Sequence, residues 1–148
     1  MSGYYRRPGW FTRNVLNRTM ALMTRLGLSM RGSGVLTVTG RKSGLPRSTP
    51  VNVLTLDGAR YLVAPRGETE WARNLRVAGT AQLRTGRRSE RVEARELSLE
   101  EKLPVLRAYL AKWKMETGVF FNGVSVEAGD DQWRQEAQRH PVFLVEKG

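Results

Sequence analysis

The sequence predicts an α+β domain: a small barrel of about six short strands, with helices before, between and after them. Three observations lead there. Apolar and polar residues alternate with period two in several short runs after Gly32. Turns rich in glycine or proline separate these runs at hairpin spacing. Helical spacing or a capping pattern marks the stretches between and around them. The 148 residues read as one domain with one core, in which residues 1–31 form an N-terminal arm and helix.

Residues Pro8 to Leu28 have helical spacing, with Phe11, Val15, Met20, Met23 and Leu26 able to share a face and Arg13, Arg18 and Arg25 lying elsewhere. This helix either packs on the body of the domain or rests on an anionic membrane surface. The first strand is Val35 to Thr39, followed by the turn Gly40-Arg41-Lys42-Ser43-Gly44-Leu45-Pro46-Arg47. The second strand runs from about Ser48 to Leu56, Asp57-Gly58 makes a hairpin, and Arg60 to Ala64 returns. Pro65-Arg66-Gly67-Glu68 breaks that strand, and Thr69 can cap a short helix through Val77. Ala81 to Thr85 and Ser89 to Glu96 pair across Gly86-Arg87-Arg88. Ser98 and Glu101 form a capping box for a helix reaching about Thr117, with Pro104 near its first turn. After Gly118 the chain is irregular, with a short helix around Asp131 to Ala137 and a last strand from Pro141 to Val145.

Composition excludes several chemistries. The absence of cysteine removes disulfides, thiol catalysis and thiolate metal sites. His140 is the only histidine, so a histidine metal cluster or a Ser-His-Asp triad is hard to build, and no metal is expected. The net charge of +11 favours an anionic partner. No nucleic-acid-binding module accompanies it, so nucleic acid is not the expected one. No apolar run is long enough to cross a membrane, and no signal peptide is read, which makes the cytoplasm the expected compartment.

Two segments carry chemistry. In Gly40-Arg41-Lys42-Ser43-Gly44 with Pro46 and Arg47, two glycines flank two cations and a hydroxyl, and a third cation follows. Exposed amides with such side chains make an anion cradle, although a basic hairpin in solvent has the same composition. In Pro65-Arg66-Gly67 with Trp71-Ala72-Arg73-Asn74-Leu75, a helix begins beside a basic turn, where free N–H groups favour phosphate. Trp71 alone reads as core packing. Both segments fall near one end of the expected barrel and together suit a long polyanion.

These residues resemble the deazaflavin (F420)-dependent nitroreductases, a branch of the flavin/deazaflavin split β-barrel oxidoreductases. The resemblance spans roughly Gly32 to Val145 and rests on Thr39-Gly40-Arg41-Lys42-Ser43-Gly44, Pro46-Arg47, Trp71-x-x-Asn74-Leu75 and His140-Pro141-Val142-Phe143. It implies a split β-barrel with an N-terminal helix and flanking helices, and coenzyme F420. It implies that Arg41, Lys42, Ser43 and Gly44 contact the phosphate and oligoglutamate tail, with Pro46 and Arg47 beside them. It implies that Ala64, Pro65, Arg66 and Gly67 lie against the deazaflavin ring, with Trp71 and Asn74 lining the same region. One departure stands out: Pro65 and Gly67-Glu68 occupy positions where well-studied members carry Ser and Gly-Gly. Backbone contacts to the ring survive that change, whereas a serine hydroxyl contact does not.

The expected reaction moves a hydride from reduced deazaflavin to a small apolar acceptor such as a quinone, enone or nitro compound. Tyr4, Tyr5, Trp10, Trp113, Phe120 and Phe121 are candidates for the acceptor pocket, and Tyr61 and Tyr109 for proton donation. Core packing is the competing role for each. His140 reads as structural, and Glu127 to Asp131 as a solvated loop. The alternatives are an FMN enzyme of the same fold, a carrier of deazaflavin or a fatty acyl ligand without turnover, and a basic nucleic-acid or membrane-surface protein. A homodimer and a weak contact of the N-terminal helix with an anionic membrane surface complete the expectations.

Overall fold

The computed structural model describes residues 32–148. The helix expected at Pro8 to Leu28 lies outside them. Six antiparallel strands close into a barrel: β1 (Ser33–Thr39), β2 (Pro46–Leu56), β3 (Ala59–Val63), β4 (Thr80–Thr85), β5 (Arg88–Glu96) and β6 (Val142–Lys147), in the order β1-β2-β3-β6-β5-β4. Helix α1 (Glu70–Ala78) joins β3 to β4. Helix α2 (Leu99–Thr117), a short 3-10 turn (Gly118–Phe121) and helix α3 (Asp130–Ala137) join β5 to β6. The predicted α+β split barrel is the fold observed.

The strand patterns follow from which faces are covered. In β4, Ala81 and Leu83 point inward while Gln82 and Arg84 are exposed, so the sequence alternates. In β3 and β6, Leu62, Phe143 and Val145 fill the barrel. The neighbouring Val63 and Val142 face outward and pack with Leu103, Leu106, Leu110, Phe121 and Trp133. Burial on both faces produces the near-continuous apolar run Val142-Phe143-Leu144-Val145.

Most boundaries agree with the sequence reading. The second strand starts earlier, at Pro46, because Pro46 and Arg47 already pair with Thr39 and Val38. The last strand continues to Lys147, which pairs with Val92. The capping box is formed in both directions: Ser98 N–H donates to Glu101 Oε1 at 2.8 Å, and Glu101 N–H donates to Ser98 Oγ at 3.3 Å. Helix α2 kinks at Trp113 (φ −121°, ψ 36°), where Thr117 Oγ1 donates to the Trp113 carbonyl at 2.8 Å. Thr69 has N-cap backbone geometry, but its side chain makes no capping bond, contrary to expectation.

Both barrel ends are filled. The β1–β2 hairpin and the chain leaving β3 lie at one end, and α1 covers that end with Ala72 and Leu75 buried. Nearer the opposite end, Arg60 and Glu90 each sit two residues before an inward-facing neighbour, Leu62 and Val92. Arg60 donates twice to Glu90, at 2.9 and 3.2 Å. This fork holds the Glu90 carboxyl below its ordinary value of 4.5.

Glu90→Gln is therefore expected to destabilise the fold by on the order of 1–2 kcal/mol near pH 7, between the figures for exposed and buried pairs. A carboxyl depressed in the folded state contributes fully above its unfolded pKa and loses that contribution as pH falls through the folded value. Urea unfolding of both proteins should show the gap shrinking below the ordinary carboxylate value of 4.5. A gap that stays constant into that acid range would mean that charge is not its origin.

Candidate functional site

The β1–β2 loop is closed by its own backbone. Gly40 N–H donates to Leu45 O at 2.8 Å, and Gly44 N–H donates to Gly40 O at 2.9 Å. Ser43 Oγ accepts from Leu45 N–H at 3.1 Å, so its own hydrogen remains available. A Cβ on Gly40 would stand 2.7 Å from Ser43 Oγ, which explains the glycine by close approach. The amides of Lys42 and Ser43 have no backbone acceptor among the described residues. Lys42, Ser43, Gly44, Pro46 and Arg47 are exposed, and neither Lys42 nor Arg47 has a carboxylate partner among the described residues.

Arg41 behaves differently from its neighbours. Its N–H donates to Asn74 Oδ1 at 3.0 Å, and its guanidinium donates to the same oxygen at 2.8 Å and to Glu70 Oε1 at 3.0 Å. The Arg41 hydrogen bond holds the Glu70 carboxyl below its usual range. Asn74 is buried in α1, so its oxygen needs a donor, and Arg41 supplies two bonds. The loop is thereby fixed to the helix. The Asn74 amide nitrogen keeps its donors, with no acceptor among the described residues.

The second segment turns at Ala64–Glu68 and leads straight into α1. Ala64 is buried and donates to Pro141 O at 2.9 Å, while Gly67 N–H donates to Ala64 O at 3.1 Å. Pro65 is half-buried, and the Arg66 guanidinium lies 5.1 Å from the centre of the Phe120 ring. Trp71 is half-buried and tilts against Phe143 at 6.1 Å. Thr69 Oγ1 is buried and unpartnered at the start of α1, so a free hydroxyl adjoins the turn. Both basic segments thus meet α1 at one end of the barrel, but that end is plugged rather than an open mouth.

The expected acceptor side is partly corrected. Trp113, on α2, and Phe121, in the 3-10 turn after it, are buried among the core residues. Tyr109 is buried with them, accepts a hydrogen bond from Asn52 Nδ2 at 3.2 Å, and has its phenol pushed up to about 12 by burial. A sealed hydroxyl of this kind does not face an acceptor. Phe120 is half-buried beside the turn, and Tyr61 is half-buried on β3. Tyr4, Tyr5 and Trp10 lie outside the described residues. The Arg41 partners went unread in the sequence, because Glu70 and Asn74 stand 29 and 33 positions away.

Residues 10–125 match the family model described as F420H(2)-dependent quinone reductase. The chain belongs to this family. Its coenzyme is F420, and it is an oxidoreductase. The nitroreductase resemblance and this family agree on the coenzyme and differ in the acceptor they name. A solved structure of an F420-H2 dependent reductase (FDR-A) is 24% identical, with a TM-score of 0.55 over 78% of this chain and 95% of that one. A structure described as a domain-swapped dimer is 20% identical, with a TM-score of 0.55 over 91% and 98%. A putative pyridoxamine 5'-phosphate oxidase from Listeria innocua is 11% identical, with a TM-score of 0.54 over 90% and 93%. At these identities the likeness establishes the fold alone. No curated protein matches the chain. No helix among the described residues is long and apolar enough to cross a membrane.

Arg41→Ala should lower stability by about 1–2 kcal/mol, the value of charge-assisted bonds less their exposure. Arg47→Ala, on the neighbouring strand, should leave thermal unfolding nearly unchanged. Equal melting temperatures for both variants would show that Arg41 does not anchor the loop.

Proposed function

We propose that this chain transfers a hydride from reduced F420 to a small apolar acceptor: a quinone first, with enones and nitro compounds as further candidates. The observation that carries the reading is the β1–β2 loop, in which Lys42 and two amides without backbone acceptors are held rigid against α1. Such a cradle fits a phosphate. Lys42, Ser43 and Gly44 would bind the phosphate and the carboxylate tail, with Pro46 and Arg47 flanking them. Arg41 would orient the loop rather than offer free charge, because Asn74 and Glu70 already engage it. Asn74 would add its amide donors.

In this reading Pro65, Arg66, Gly67 and Trp71 lie against the ring and orient it, while Ala64, expected there too, is fully buried behind them and supports the turn. Bound F420H2 supplies the hydride from its deazaflavin ring. The chain contributes position and the exclusion of water. Phe120, beneath the Arg66 guanidinium, offers an apolar surface on which a planar acceptor can rest. Of the two tyrosines considered as proton donors, Tyr61 is the less buried. A homodimer stays within the proposal, supported by the relative described as a domain-swapped dimer. So does a weak contact of the N-terminal segment with anionic membrane, supported by Arg6, Arg7, Arg13 and Arg18 in the sequence.

The deciding experiment follows oxidation of F420H2 by the purified protein with a water-soluble quinone, an enone and a nitroaromatic compound. Turnover with the quinone is the expected result. Tight F420 binding with no turnover of any acceptor would make the protein a carrier instead.

Affinity gives an independent check. F420 should bind much more tightly than FMN, because the basic loop suits a tail longer than one phosphate. Lys42→Ala should fold normally and weaken F420 binding by roughly tenfold at low salt, the lower end for a charge-assisted contact that solvent screens. Its salt dependence should also flatten. An unchanged dissociation constant in the folded variant would remove Lys42 from the site.

A further inference from the structure

A buried polar cluster stands behind the turn Ala64–Gly67, and the proposed function does not use it. Glu136 on α3 and His140, the only histidine of the chain, are both buried. His140 Nε2 lies 2.6 Å from Glu136 Oε2. Asn122 Nδ2 donates to both carboxylate oxygens, at 3.2 and 3.0 Å. A carboxylate is tolerated in such surroundings only when it is paired and hydrogen-bonded, so these contacts are what keep Glu136 there. Nε2 has Glu136 as its partner, and the other ring nitrogen, Nδ1, is buried without one among the described residues. Phe121 stacks on the imidazole with ring centres 4.4 Å apart and planes at 21°. The His140 carbonyl accepts from Lys102 Nζ at 3.1 Å, and Lys102 is itself buried. His140 is therefore gripped at its ring and at its backbone.

The neighbours of His140 form the rear wall of the turn. Pro141 O accepts the Ala64 N–H at 2.9 Å. Arg139 O stands 3.3 Å from where a Cβ on Gly67 would lie, and Gly67 has φ +102°. On the far side, Val142 O accepts Leu97 N–H at 2.9 Å. Residues 139–141 are joined to the turn by the hydrogen bond from Ala64 N–H to Pro141 O, and Arg139 O stands where a side chain on Gly67 would have to pass.

We propose that His140, Glu136 and Lys102 are positioning residues for hydride transfer: they fix residues 139–141 and thereby set the height of Ala64–Gly67 against the coenzyme ring. This rests on the reading that the ring lies on that turn. The three side chains act through the backbone and touch neither ring nor acceptor. Transfer falls off steeply with misplacement, by about a hundredfold for roughly 1 Å. Affinity resides mainly in the tail, held by the separately anchored β1–β2 loop. Rate and affinity should therefore respond differently to changes at His140.

The test uses His140→Leu, His140→Gln and Lys102→Met. Amide hydrogen exchange at Ala64 is read by NMR without coenzyme, F420 affinity by fluorescence titration, and transfer by stopped-flow oxidation of bound F420H2 with one fixed quinone. His140→Leu should speed Ala64 exchange, change the F420 dissociation constant by less than about threefold, and slow transfer by about tenfold or more. His140→Gln retains a donor towards Glu136 and should recover most of the rate. Lys102→Met acts on the same carbonyl and should shift all three readouts in the same direction by less; it replaces His140→Leu if that variant does not fold. Unchanged Ala64 exchange in a folded variant, or equal losses of affinity and rate, would overturn the proposal. Failure of the wild type to bind F420 would instead refute the proposed function, so the two failures are told apart.

Discussion

Closing six antiparallel strands leaves an end that must be filled, and helix α1 fills it. Ala72 and Leu75 enter the same core as Leu36, Leu62 and Leu83, and the helix cannot leave without exposing them. Because α1 must lie there, Asn74 is carried below the surface. A buried amide oxygen needs a donor, and the nearest one comes from the β1–β2 loop as Arg41. The position of the loop is thus a consequence of closing the barrel. Arg76 completes the arrangement from the other face of α1, donating to Glu68 in the turn and to Glu96 at the end of β5. Its guanidinium proton is held more tightly than usual by these two carboxylates, Glu96 first.

The charge of the chain looks different once partners are assigned. Arg41, Arg60, Arg76, Arg95, Arg107 and Arg134 each face at least one carboxylate. These cations join elements that are distant in sequence: Arg60 links β3 to β5, and Arg107 links α2 to α3. Most of the acidic side chains are used in such links. Six of the eleven excess charges belong to arginines of residues 1–31, and among the described residues Lys42, Arg47 and Arg66 stand around the candidate site without carboxylate partners. An anionic coenzyme meets a field left over after the fold has taken its share.

How much of this was legible depended on range along the chain. The Asp57-Gly58 hairpin and the Ser98–Glu101 capping box are local, and both were read correctly. The Gly40–Gly44 motif was legible as a loop, and its role as a coenzyme contact is what the resemblance implies. The split within it was not: Arg41 serves the fold while Lys42 stays free, and only Asn74 and Glu70, far along the chain, decide that. Aromatic side chains were ambiguous for a different reason. Trp113, Phe121 and Phe120 have similar chemistry, and only packing separates the first two, in the core, from the third, beside the turn. Glu136 gave no signal, because a carboxylate at the end of a polar helix usually faces water.

Buried polar groups mark where this fold departs from what stability alone would choose. An apolar residue in place of Asn74 or Glu136 would avoid desolvation altogether, and well-packed apolar replacements are often neutral or stabilising. Each of these groups instead has a dedicated partner, and each partner fixes a segment that the barrel alone would leave loose. Asn74 fixes the hairpin loop through Arg41; Glu136 fixes residues 139–141 through His140. For an enzyme whose coenzyme carries the reactive chemistry, this is where side-chain chemistry is best placed. The chain has no cysteine, and its single histidine is enclosed in the interior. What it supplies is the separation between a loop that suits an anionic tail and a turn that suits a flat ring. That separation is held by hydrogen bonds from opposite sides of one helix-capped barrel end.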